Sequence, residues 1–287
     1  MRELSLTLPS ASEYSYWNSC QAKWALAYRC AISVREKGVR LLTGSALSEA
    51  MEQFYLPSSD RTPSEMFDKY MYDARRMHET CPEEEWQAAF SEARQVLELY
   101  LATYSPDRFG KVLAVQKKID TPCPMKLDLV VQDVATGEIY PVEQKSISGW
   151  ADITYENLKY DLDPQPILYT LGIVNEYQVE CKKAIIDYLI KPIPAKGKYK
   201  AKLPQLAEYT VPVPLWKQDM ILTGIINANE EMKELDATLD ELKFEQIPRR
   251  TNNCVMKMGS RTFLCDYYEA CSLNVNPLEL PGFQGRS

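Results

Sequence analysis

The stretch KLDLVVQDVATGEIYPVEQKSI, residues 126–147, constrains the fold of this chain more than any other. Two β-rich runs flank ATG, a hairpin turn signal, so the segment reads as a pair of antiparallel strands. Each run carries charge among its apolar residues: Asp128 in the first, Glu143 and Lys145 in the second. Side chains in a strand repeat with period two, which puts Glu143 and Lys145 on one face. A two-residue loop at Ala135 and Thr136 pairs residues whose numbers sum to 271 and sets Asp128 opposite Glu143. A loop at Thr136 and Gly137 raises the sum to 273 and sets Asp128 opposite Lys145. Either register gathers the three charges on one face, whereas a three-residue loop separates them unless a bulge restores the alternation. The other reading of Glu143 and Lys145 is a solvated ion pair on an exposed strand, worth under ~1 kcal/mol.

Two carboxylates and an ammonium converging on a sheet face are what metal-assisted phosphodiester hydrolysis requires. The acids hold one or two divalent cations that polarise the phosphate and activate water, and the ammonium positions that water and offsets developing charge. Hard Mg²⁺ or Mn²⁺ suits such oxygen ligands.

The 287 residues, 45% apolar and 25% charged, have the make-up of a soluble globular chain able to bury a large core. No apolar run approaches the ~18 residues that span a bilayer, and the first twenty residues lack a signal-peptide core, so the expectation is a cytoplasmic protein without membrane partners. Thiols stay reduced there, which directs the eight cysteines toward metal binding or burial rather than disulfides. A net charge of −7 argues against nonspecific coating of nucleic acid and leaves room for a local basic groove. Residues 182–202 hold seven lysines against one aspartate. Lys196, Lys198 and Lys200 in it are candidates for contact with a nucleic-acid backbone, the alternative being a solvated loop between strands.

Along the chain, residues 10–30 read as a capped, aromatic-rich helix, and a second helix is expected to follow Thr43 and Gly44 through SALSEAMEQFY. Residues 63–105 read as a helical insertion whose two helices each open on proline. Strands are expected at KVLAVQKKID, MKLDLVVQDV, GEIYPVEQKSI, KKAIIDYLIK and EYTVPVPL, with a helix at DPQPILYTLGIVNEY and a long helix from Trp216 to about Phe244. The last forty residues read as irregular and hold three cysteines. One α/β domain over 1–287 is the expected organisation.

LDLVV followed by VEQK resembles the second and third motifs of the PD-(D/E)XK nuclease superfamily, specifically its RecB-like branch. The resemblance implies a restriction-endonuclease-like core, a mixed central sheet flanked by helices. It implies that Asp128 and Glu143 hold the metal, with the main-chain carbonyl of Gln144 as a further ligand, and that Lys145 orients the attacking water. That branch carries a glutamine and a tyrosine four apart on the next helix, and QPILY supplies Gln165 and Tyr169, one helix face by spacing. The branch's first motif, G-x-x-x-H on a helix, matches GSALS with Ser48 in place of the metal-ligating histidine. Glu52, one turn beyond Ser48, is the acid expected to substitute. The single histidine, His78, lies in the helical insertion and leaves little material for a histidine-rich zinc hydrolase.

Iron–sulfur members of this branch, among them the AddB nuclease domain and the CRISPR adaptation nucleases, have one cysteine before the core and three after it. Cys20, in YWNSCQAKW, and Cys254, Cys265 and Cys271 stand in the corresponding order. The resemblance implies a 4Fe–4S cluster joining the two ends, residues 1–30 and 246–287. Zinc suits the same four thiolates. Cys30 is the fallback ligand should Cys20 point away.

The function implied is a metal-dependent DNA nuclease, expected to be an exonuclease, acting in replication, recombination or repair beside a helicase or similar partner protein. The alternative is a nuclease fold weakened by the change at Ser48 and kept as a DNA-binding or scaffold subunit. A third reading is a zinc-stabilised interaction protein whose acid–lysine pair is a salt bridge.

Overall fold

The computed structural model describes residues 8–34, 38–58, 60–78, 81–195, 200–239, 255–258, 261–264, 267 and 283–285. In chain order the elements are α1 (Ala11–Ser19), α2 (Gln21–Trp24), a π-helical turn (Ala25–Arg29), β1 (Ile32–Val34), α3 (Val39–Tyr55), α4 (Pro63–Met77), α5 (Glu83–Thr103), β2 (Lys111–Ile119), β3 (Met125–Gln132), β4 (Ile139–Ile147), α6 (Ile153–Leu162), α7 (Pro164–Tyr177), β5 (Lys183–Ile190), β6 (Gln205–Pro212), α8 (Leu215–Leu239), β7 (Val255–Met258), β8 (Arg261–Leu264) and β9 (Phe283–Gly285). The chain divides into two compact units, the first built on residues 38–221 and the second on residues 8–37 and 222–287.

In the first unit five strands form a mixed sheet in the order β2-β3-β4-β5-β6, antiparallel except where β4 and β5 run parallel. The β3–β4 register pairs Leu129 with Val142 and Gln132 with Ile139, a sum of 271. The turn differs from the two-residue loop expected. Asp133 N–H bonds Glu138 O at 2.9 Å, and the four residues between them form the loop. The Asp133 carboxylate accepts from the amides of Ala135 and Thr136, each at 2.8 Å, and Gly137 supplies the left-handed residue, φ 74°. Four residues centred on Ala135 and Thr136 keep the register of the shorter loop.

Helices cover both faces. The Tyr100 hydroxyl of α5 donates to Asp187 Oδ2 of β5 at 2.6 Å, and Asp187 shares its face with Gln144 of β4. On the opposite face Tyr160 of α6 packs against Tyr188 of β5, and Gln165 of α7 reaches Glu143. Trp86, Val96, Leu97 and Tyr100 of α5 lie in one apolar core with Leu127, Leu129 and Val142 of the sheet. Each such side chain contributes about 1.5–3 kcal/mol on burial. The residues read as an insertion are therefore a wall of the main core. A Thr62–Glu65 capping box and Pro63 start α4.

Asp187 of β5, facing that wall, is fully buried. It accepts from Tyr100 and from Arg108 Nη1 at 3.2 Å, and the Tyr100 hydroxyl in turn bonds that of Tyr55. Arg108 continues to Glu208 at 3.1 Å and stacks 3.4 Å from the Tyr104 ring centroid. Burial lifts the Asp187 carboxyl above its ordinary range, against the pull of Arg108.

Several boundaries depart from the sequence expectation. α3 begins at Val39 rather than after Gly44. Burial of Val39, Leu42, Ala46 and Leu47 on one face extends the helix through a Thr-Gly pair that locally favours a turn. β6 covers Gln205–Pro212 rather than 208–215, because its length is set by pairing with β5, from Ile190 with Gln205 to Lys183 with Pro212. α6, capped by Asp152, is a helix beyond those expected, and α8 is described only to Leu239.

In the second unit the single helix expected over 10–30 is broken. Ser10 caps α1, but Cys20 is extended (φ −168°, ψ 124°), and α2 passes into the π-helical turn. In a straight helix Trp17 and Trp24, seven residues apart, would stand about 10 Å from each other. The break lets their rings meet edge to face at 5.1 Å and lets Trp24 Nε1 donate to Glu13 at 3.0 Å. The C-terminal forty residues, read as irregular, contain a β7–β8 pair, and β9 pairs antiparallel with β1, Ile32 opposite Gly285. The Tyr267 hydroxyl donates to Ile32 O at 2.7 Å.

Candidate active site

The site is made where two strands part. β3 and β4 pair from Gln132 and Ile139 as far as Leu129 and Val142. At the next position the Gln144 amide donates to the Asp128 carboxylate, Oδ2, at 2.9 Å. A side chain thus takes a donor of the ladder, while β4 stays paired to β5 from Val142 to Ile147. The parted strands and α3 border an open cleft of about 420 Å³, lined by Arg40, Gly44, Ser48 and Met51 of α3, by Asp128, and by Glu143 and Lys145 of β4.

Lys145 Nζ lies 2.5 Å from Glu143 Oε1 and donates to Gln165 Oε1 at 3.2 Å. The Gln165 amide donates to Glu143 Oε1 at 3.1 Å and to the Tyr169 oxygen at 2.6 Å. Gln165 is held at the start of α7 by its main-chain N–H, which donates to the Asp163 cap at 2.8 Å after Pro164. Asp128, Glu143, Lys145, Gln165 and Tyr169 therefore meet in one constellation on one sheet face. The solvated-pair reading of Glu143 and Lys145 does not describe them, since Glu143 is 6% exposed.

The electrostatics of the group are lopsided. Burial and then the charge of Asp128 push the Glu143 carboxyl up to about 8, with Lys145 opposing. Burial works against the Lys145 ammonium, but Glu143 and Asp128 outweigh it and hold the group above the ordinary lysine value. Burial and the charge of Glu143 keep the Tyr169 hydroxyl protonated. Two carboxyls share one nearby ammonium, and the buried Glu143 Oε2 has no hydrogen-bond partner. An all-oxygen donor set with an orphaned carboxylate oxygen and a deficit of positive charge fits a hard divalent cation. Among the described residues no group of three or more His, Cys, Asp or Glu side chains is gathered for a metal, so the main-chain carbonyl of Gln144 and water would complete such a site.

The remaining candidates are dispersed. Ser48 lines the cleft, whereas Glu52, expected on the same face, is half-buried and does not, because the cleft-facing stripe of α3 runs through Gly44, Ser48 and Met51. Cys20 is buried among Trp17, Trp24 and Met232. Cys254, Cys265 and Cys271 lie outside the described residues, as do Lys196 and Lys198; Lys200 is exposed. The lysine-rich stretch is not one patch. Lys182 pairs with Glu180 at 2.8 Å and Lys183 with Glu138 at 2.7 Å. Lys191 is buried, its Nζ donating to Thr43 Oγ1 of α3 at 2.7 Å. Arg40 and Gln116 belong to the site beyond the residues expected from the sequence; a lone arginine in the first turn of a helix and a glutamine in a strand carry no local signature.

No protein-family model and no curated protein sequence matches this chain. In three dimensions it is similar to the crystal structure of a "putative exonuclease" from Eubacterium rectale, with a TM-score of 0.57 and 14% sequence identity over 93% of this chain and 88% of that one. At that identity the likeness is one of architecture: the chain shares the mixed α/β fold of that structure.

Proposed function

We propose that this protein is a divalent-metal-dependent nuclease that hydrolyses phosphodiester bonds in DNA. The observation that carries the reading is the buried, partly unpartnered Glu143 beside Asp128, with Lys145 at 2.5 Å. A bound Mg²⁺ or Mn²⁺ would supply polarisation of a phosphoryl oxygen and compensation of charge in the transition state. Asp128, Glu143 and the Gln144 carbonyl would hold it. Lys145 keeps its proton at neutral pH, so its part is to donate: it orients the attacking water and meets the charge that develops on the phosphate. Gln165 spans Lys145 and Glu143 and fixes both, and Tyr169, neutral, holds the Gln165 amide. The name of the E. rectale protein is in keeping with an exonuclease. The proposal extends to a cysteine-bound cluster, iron–sulfur or zinc, at Cys20, Cys254, Cys265 and Cys271; the pairing of β1 with β9 is in keeping with joined N- and C-terminal segments in the second unit and says nothing of the metal. Quantifying iron and zinc per chain after anaerobic purification tests that part.

The test of the activity is cleavage of end-labelled linear and closed-circular DNA, single- and double-stranded, with Mg²⁺ or Mn²⁺, by wild type and by Lys145→Ala. Degradation lost in the variant supports the nuclease, and the circular substrates separate exonuclease from endonuclease action. DNA binding without cleavage by wild type would favour the scaffold reading, and neither binding nor cleavage would overturn both.

A further inference from the structure

Gln116 sits on β2 opposite Asp128, between the pairs Val115 with Leu129 and Lys117 with Leu127. It has φ 50°, a left-handed conformation that side chains other than glycine, asparagine and aspartate rarely adopt, and the β2–β3 register has just slipped between Val112 and Ala114. The kink aims one amide at two acceptors. Gln116 Nε2 donates to Asp128 Oδ1 at 3.1 Å and to Ser48 Oγ at 3.3 Å.

The consequence for Asp128 is geometric. Its Oδ2 already accepts the Gln144 amide, so each carboxylate oxygen is tied by one donor from a different strand. Two ties fix the carboxylate plane and leave its other lone pairs for the cleft. Ser48 does not reach Asp128 directly; it acts on the amide of Gln116 and so couples α3 to the acid. An unfavourable backbone conformation kept at a residue whose side chain bridges two site elements is the kind of local strain that persists where function requires it.

We infer that Gln116 is a positioning residue of the catalytic site, which with Ser48 as its anchor on α3 sets the orientation of Asp128 for cation binding. This rests on the nuclease reading above.

The full-length chain is compared with Gln116→Gly, Ser48→Ala and the double variant. Measured are Mn²⁺ affinity by calorimetry, kcat and KM for DNA cleavage, and melting temperature. Glycine accepts the positive φ, so Gln116→Gly separates loss of the amide from loss of the fold. The expected result is an unchanged or raised melting temperature, Mn²⁺ affinity and kcat each about tenfold lower, and KM for DNA unchanged. Ser48→Ala is expected to cost less, and the double variant no more than Gln116→Gly alone, because Ser48 acts through Gln116. Wild-type Mn²⁺ affinity and kcat in Gln116→Gly would overturn the bridge, as would losses in the two single variants that simply add. A wild type that neither binds Mn²⁺ nor cleaves DNA overturns the nuclease reading and this inference with it; activity in wild type left untouched by Gln116→Gly overturns the inference alone.

Discussion

Glu143 and Lys145, two positions apart on β4, touch at 2.5 Å, and one amide of Gln165 bonds both. The pair is unequal: Lys145 is 27% exposed at its side chain and Glu143 only 8%. Their responses to substitution should therefore differ.

Lys145→Ala removes the ammonium from a carboxyl whose pKa already stands at about 8. At that pKa Glu143 is already largely protonated at neutral pH, and losing the ammonium leaves a neutral carboxyl rather than a bare buried charge. Stability is expected to fall by less than about 2 kcal/mol, well short of the 3–5 kcal/mol of a stranded ion. DNA cleavage is expected to drop by about 10²-fold or more. Urea unfolding and the end-label assay, run on the same preparation, check the two numbers.

Glu143→Gln keeps the shape and the Gln165 contact but removes the capacity to ionise on a bound cation. The variant should remain folded at wild-type stability or above, because a buried carboxyl costs more than a neutral amide. Calorimetric titration with Mn²⁺ should show stoichiometric binding in wild type and none in the variant. Retained binding would move the cation away from this residue.

Lys191 gives the chain a pH dependence that can be read against a variant. Burial, then the charge of Arg40, pulls its ammonium down from 10.5 to about 8, with Glu92 opposing. Below pH 8 both folded and unfolded chains hold this proton, and the folded chain bears the cost. Between about 8 and 10.5 the unfolded chain holds the proton and the folded chain does not, so stability from this group rises with pH. The gain totals about 3 kcal/mol across that window. Lys191→Met should be more stable than wild type at pH 7 by about 1–3 kcal/mol, and the difference should shrink toward pH 10.5. Thr43 still donates to Arg40 O at 2.9 Å in such a variant. Paired urea titrations at pH 7, 9 and 10.5 would show the convergence; a constant difference would place the Lys191 charge elsewhere.

The Asp187 network should be intolerant of losing one member. Arg108→Met strands a fully buried carboxylate and is expected to cost about 3–5 kcal/mol. Tyr100→Phe, which deletes one hydrogen bond to that acid, should cost about 1.5–3 kcal/mol. Adding Asp187→Leu to Arg108→Met should restore most of the first loss. Chemical denaturation of the three variants would show it.

Gly149 follows β4 closely enough to the site to matter. A Cβ there would lie 2.4 Å from the Lys191 carbonyl oxygen and 2.7 Å from Ile193 Cγ1. The first neighbour is backbone, which yields little. Gly149→Ala should lower stability by about 1–3 kcal/mol and slow cleavage by shifting the end of β4 beyond Lys145. An unchanged melting temperature would contradict the close approach.

Much of the site was legible along the chain because it rests on short-range periodicities. Alternation on β4 fixed the common face of Glu143 and Lys145, and a turn centred on Ala135 and Thr136 set the register sum of 271 whether it closed with two residues or four. The four-residue spacing of Gln165 and Tyr169 and the Asp163–Pro164 start of α7 brought those side chains to the same face by helix geometry alone. Local rules failed where a distant contact outweighed them. The helix expected over 10–30 breaks at Cys20, where the rings of Trp17 and Trp24 come together, and its apolar face carries α3 through Thr43 and Gly44.

The sequence by itself determined which charges share a strand face and which helix faces them, since alternation and helical pitch are properties of neighbouring residues. Only the tertiary structure decided that β3 and β4 part at Asp128, that Gln116 turns left-handed to hold it, and that Lys191 leaves the lysine run to bond Thr43, 148 positions away. Those outcomes depend on burial and on the partners that packing brings together, which alternation and helical pitch do not specify.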